Sequence, residues 1–85
     1  MNKYYAIAML AAIKSVEANG DELEKIRRLT AKHDIGYNRC KLEEAINDTH
    51  AALGVLFGSV RNAIGDTTST NNELFETLKK RADNN

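Results

Sequence analysis

The stretch NRCKLEEAINDTHAALGVLFGSVRNAIG, residues 38–65, decides the fold. Leu42, Ile46, Thr49, Leu53, Leu56, Val60 and Ile64 follow one another at spacings of four, three, four, three, four and four. That is the period of one face of an α-helix. Ala45, Ala52, Phe57 and Ala63 widen the stripe on either side. Its phase runs through Asn47-Asp48-Thr49 without slipping, so the pattern predicts one continuous helix over about 38–65. Asn38 suits the N-cap, where its side chain can accept from an orphan N–H. Glu43 and Glu44 stand near the positive end of the helix dipole and Arg61 near the negative end. Gly65 can take the left-handed conformation that closes a helix.

The back of this helix carries Ala51, Gly54 and Gly58, with Val55 beside them. A glycine in a helix interior costs roughly 1 kcal/mol against alanine. Two of them on one face predict close approach by another helix, as in small-xxx-small packing.

Working outward, the 85 residues carry 12 basic and 12 acidic side chains and no proline. A chain of this length forms one domain, here expected over 1–82 with a frayed tail at 83–85. No segment alternates at period two, so no strand is expected, and the fold class is all-α: a small helical bundle. Zero net charge removes the simplest argument for a nucleic-acid or anionic-membrane partner. Cys40 is the only cysteine, so no disulfide framework is possible within the chain. It is read as a small packing residue. The apolar run Tyr4–Ile13 is broken by Lys14 and is far short of the ~20 residues that span a bilayer. A cytoplasmic location with no membrane partner follows as an expectation.

Upstream, Tyr5, Ala8, Met9, Ala12, Ile13 and Val16 make an apolar stripe for a first helix over about 3–18, ended by Asn19-Gly20. Ile7 and Leu10 fall off that stripe, which suggests a second contact surface for another subunit. Asp21 and Glu24 have capping-box spacing and predict a second helix over about 22–33. Leu23, Ile26, Leu29, Thr30 and His33 form its buried stripe, and Lys25, Arg28 and Lys32 a basic ridge on the other side. Gly36 would hinge the turn at 33–37. Downstream, Thr70 and Glu73 repeat the capping-box spacing and start a short last helix, docked by Leu74, Phe75 and Leu78.

No reactive constellation emerges. Cys40 and His50 stand ten residues apart on one helix, about 15 Å by the helical rise. Two histidines and one cysteine fall short of a structural zinc site, and no glycine-rich phosphate loop is present. The chain is therefore expected to be neither an enzyme nor a cofactor protein.

The segment Thr30-Ala31-Lys32, Asp34-Ile35-Gly36, Leu42 and Ala45-Ile46 resembles the helix-turn-helix of phage Cro-type repressors, with His33 as an extra residue. The resemblance covers about seventeen residues. It implies a recognition helix whose Asn38, Arg39 and Lys41 would reach bases or phosphates.

Three functions stand as expectations. The first is a small regulatory or adaptor protein that binds another protein and self-associates, with Ile7, Leu10, Ala51, Gly54 and Gly58 at its interface. The second is a DNA-binding regulator. The third is an oligomer that holds a small anionic ligand on Lys25, Arg28 and Lys32.

Overall fold

A computed structural model describes residues 1–33 and 39–83. It is all-α, with three helices: α1 (Lys3–Lys32), α2 (Arg39–Ile64) and α3 (Asn71–Asp83). The expected N-cap Asn38 and hinge Gly36 lie outside the described residues, as do residues 84 and 85. Asp83 belongs to α3 rather than to the tail.

The first two expected helices are one. α1 runs 30 residues straight through Asn19-Gly20, because its inward row does not stop there. Ile13, Val16, Gly20, Leu23, Arg27 and Thr30 alternate spacings of three and four across the supposed break. Gly20 sits where α1 meets α2: a Cβ built on it would stand 3.1 Å from Thr49 Oγ1. The glycine thus permits close approach of two helices rather than a turn, and its cost of ~1 kcal/mol is small beside the packing it allows. The capping box expected of Asp21 and Glu24 does not form; Glu24 pairs with Arg27 at 2.9 Å.

α1 and α2 make an antiparallel hairpin. Ala6, Leu10 and Ile13 near the start of α1 share a core with Phe57 and Val60 near the end of α2. Farther along, Glu24 and Arg27 lie beside Glu43, Ile46 and Asn47. α2 buries Ile46, Thr49, Phe57 and Val60, on the face its period predicts. Thr49 is buried without an orphan, since its hydroxyl donates to the Ile46 carbonyl at 2.7 Å.

α3 folds back over the open end of the hairpin and inserts Leu74 and Leu78, both fully buried, into the same core. Its start is built as the sequence predicts. Gly65 closes α2 with φ of 68°. Asp66 then accepts from the Thr68 and Ser69 amides at 2.8 and 3.1 Å and from the Ser69 hydroxyl. The Thr70–Glu73 capping box is formed in both directions at 3.2 Å, and the Arg61 guanidinium ties the loop down through the Ser69 carbonyl and Asn71 Oδ1.

The hydrogen bond from Ser69, then those from the Thr68 and Ser69 amides, lower the Asp66 pKa from 3.8 to about 2. A depressed carboxylate stabilises the fold above its unfolded pKa and loses that contribution as pH falls through its folded one. The loop should therefore hold at neutral pH and loosen as pH falls from about 4 towards 2. The Thr68 and Ser69 amide chemical shifts read this directly; if they titrate near pH 4 with no depression, the loop does not grip the carboxylate.

α1 differs from expectation in its inward face. The buried residues are Ala6, Leu10 and Ile13, whereas Ala8 is exposed and Tyr5, Met9, Ala12 and Val16 are half-buried. Leu10 belongs to the chain's own core, 9% exposed, so it is not available to another subunit. The cause is α3: with it in place the early half of α1 packs on two helices, and its inward face turns towards the seam between them. At 13 residues, about 20 Å by the helical rise, α3 covers only one end. Beyond it the hairpin is two helices thick, and Ile26 and Leu29, expected in the core, stay 42% and 55% exposed. His33 and Cys40, each expected to pack, are exposed as well.

Candidate binding surfaces

The hairpin has two unlike edges. On one, Leu10 and Phe57 are buried and Arg61 reaches the start of α3, so this is the edge α3 covers. Past the end of α3 it turns polar: Glu17, Asp21, Glu24 and His50 line one shallow depression there, and Glu24, Arg27, Glu43, Asn47 and His50 the next. On the opposite edge Val16, Asn19 and Leu23 of α1 and Ala45, Asp48, Thr49 and Ala52 of α2 line a shallow groove.

The back of α2 is a third surface. From Thr49 to Val60 the helix carries no Asp, Glu, Lys or Arg, yet Ala51, Gly54 and Val55 face outward and Val55 is 68% exposed. A Cβ added at Gly54 or Gly58 would have nothing within 4 Å. Among the described residues, no helix makes the close approach that the glycines suggest. Of the residues assigned to an interface from sequence, Ala51, Gly54 and Gly58 are together on this surface, half-buried or exposed. Ile7 is 44% exposed on α1, and Leu10 is interior.

Lys25, Arg28 and Lys32 do cluster, flanking Leu29 on the last turns of α1. Lys25 faces Glu22 at 3.8 Å. The cluster lies at the C-terminal end of α1, where the helix dipole favours cations and works against a bound anion.

The turn of the expected helix-turn-helix lies outside the described residues, and the helices on either side of it do not suit the motif. Its two helices should cross at about 90–120°, but α1 and α2 lie alongside each other down to Arg27 and Glu43. Arg39 and Lys41 stand on the exposed side of α2, 3.6 Å from Glu43 and 3.7 Å from Glu44, so carboxylates accompany the cations that were to meet phosphate. Asn38 lies outside the described residues.

Among the described residues, no group of three or more His, Cys, Asp or Glu side chains could hold a metal ion. No described helix is long and apolar enough to cross a membrane. Fold and surfaces together define a buttressed helical hairpin with one polar edge, one grooved edge and an uncharged back. No protein-family model, curated protein or solved structure matches the chain.

Proposed function

We propose that this chain is a non-enzymatic protein-binding module, a regulatory or adaptor protein that works as a homo-oligomer. The observation that carries the reading is the run Thr49–Val60, which holds no Asp, Glu, Lys or Arg. A helix that is apolar or small around its whole circumference belongs in an interior. Here a glycine-bearing back, exposed at Gly54 and half-buried at Gly58, has no described residue packed over its glycines. A helix face with no acidic or basic side chain to keep it in water suits association, and Gly54 and Gly58 suit it to another helix packed backbone to backbone.

Native mass spectrometry of the wild type and of Gly58→Leu tests the reading. The wild type is expected at a multiple of the chain mass or with a bound protein partner. Gly58→Leu should weaken whichever contact uses the glycine face while the circular dichroism stays helical. In Gly54→Ala, an uncovered glycine would add about 1 kcal/mol of helix stability with no loss of binding. That result, together with unchanged assembly in Gly58→Leu, would remove the glycine face from the account.

A further inference from the structure

The grooved edge of the hairpin has a regularity that the back of α2 lacks. The groove is lined at its middle by Val16 and Leu23 of α1 and by Ala45 and Ala52 of α2. Stepping seven residues along each helix keeps to the same row. On α1 that row is Met9, Val16 and Leu23; on α2 it is Ala45, Ala52 and Ser59. All six are half-buried except Ser59, which is exposed. The antiparallel register, fixed by Gly20 against Thr49, sets Met9 level with Ser59, Val16 with Ala52 and Leu23 with Ala45. One wall of the groove is therefore large and the other small, in three successive layers.

A face built this way is complementary to itself. A two-fold axis parallel to the helices lays α1 of one copy over α2 of the other, antiparallel to it. It also keeps every layer in register, so that each large side chain meets a small one. We infer that a second copy of this chain occupies the groove, giving an antiparallel four-helix core with the two α3 helices outside. Isologous contacts of this kind are the commonest among soluble oligomers, and four antiparallel helices with knobs-into-holes layers are a stable solution.

The area is adequate. From Tyr5 to Thr30 the face runs about 38 Å by the helical rise. Two helices side by side at 8–10 Å make it about 20 Å wide. Some 750 Å² per copy results, close to the roughly 800 Å² per partner of a stable interface. Besides the row residues, Asn19, Asp48 and Thr49 also line the groove; Thr49 is already satisfied, and the same register sets Asn19 of one copy level with Asp48 of the other, an amide donor opposite the carboxylate that the second copy would cover.

This assignment rests on the self-association in the reading above, but not on the glycine face. Sedimentation equilibrium on wild type, Ala52→Glu and Gly58→Leu separates the two. The groove predicts a wild-type dimer that Gly58→Leu preserves. Ala52→Glu should weaken it at least ~100-fold, the scale of burying an uncompensated charge. If Gly58→Leu dissociates the dimer and Ala52→Glu does not, self-association stands and the groove is wrong. If the wild type is a monomer throughout the micromolar range, both fall. A cross-link guards against misfolding of Ala52→Glu. Val16→Cys and Ala52→Cys proteins, each with Cys40→Ser, are mixed and oxidised. The hetero-dimer should form a disulfide in high yield; a yield no better than for a control pair, Val16→Cys with Lys79→Cys, overturns the register.

Discussion

Ile13→Ala should cost about 2–5 kcal/mol, the range for deleting a fully buried large aliphatic side chain and leaving a cavity. Ile13 is 0% exposed and sits where α1, α2 and α3 share one core with Phe57, Leu74 and Leu78. No other packing layer can take over: α3 covers this end of the hairpin only, and the far end is two helices thick. A domain of this size has about 5 kcal/mol in hand, so the variant should lose much of its stability and release α3 first. Urea unfolding at fixed protein concentration, followed by far-ultraviolet circular dichroism, measures it. A loss below about 1 kcal/mol would mean that the three helices do not meet at Ile13.

Gly20→Leu should cost about 3 kcal/mol, the upper end of the overpacking range. A Cβ alone would lie 3.1 Å from Thr49 Oγ1, and that hydroxyl is held by its bond to the Ile46 carbonyl. It cannot swing away without giving up a buried hydrogen bond, so the helices must part. Gly20→Ala is the sensitive comparison. Its helix-propensity gain of about 1 kcal/mol opposes the close contact, and Thr49→Ala should release that gain. A double-mutant cycle with positive coupling between the two sites locates the crossing; additivity would say that the residues do not touch.

The same position shows where the sequence was readable and where it was not. The run 38–65 spells out its own helix, because one row of apolar residues keeps phase from Leu42 to Ile64 and a single glycine in the left-handed conformation ends it. The Thr70–Glu73 cap is equally legible, being a local exchange of hydrogen bonds that needs no tertiary information. Asn19-Gly20 is ambiguous by nature. The same dipeptide ends a helix in one context and opens a helix–helix contact in another, and only Thr49, far along the chain, decides between them. Continuity was nonetheless written in the spacing of Ile13, Val16, Gly20, Leu23 and Thr30, once glycine is allowed to count as an inward residue.

The faces of α1 were harder. From Tyr4 to Ile13 no residue is charged, so two apolar stripes compete, and periodicity cannot say which one α3 will cover. The stripe through Tyr5, Met9, Ala12 and Val16 is half-buried, with Val16 at the groove, while Ala6, Leu10 and Ile13 took the core. Of the binding surfaces, the uncharged back of α2 was visible as Ala51, Gly54 and Gly58. The groove was not, since it needs α1 to run unbroken past Asn19-Gly20 and needs the register of α1 against α2.

The groove between copies depends on α1 being one helix through Gly20, because the row Met9, Val16 and Leu23 exists only then. Electron–electron distance measurement between spin labels on Ala11→Cys and Arg28→Cys, with Cys40→Ser and excess unlabelled protein to suppress distances between copies, tests this directly. Both positions are exposed. Seventeen residues of unbroken helix separate their backbones by about 26 Å, and one narrow distribution near that value, allowing for the label arms, is the expected result. A helix that turned back at Asn19-Gly20 would bring the labels within roughly 15 Å, as packed antiparallel helices at 8–10 Å require. That shorter distance would contradict the continuous α1, and the groove with it.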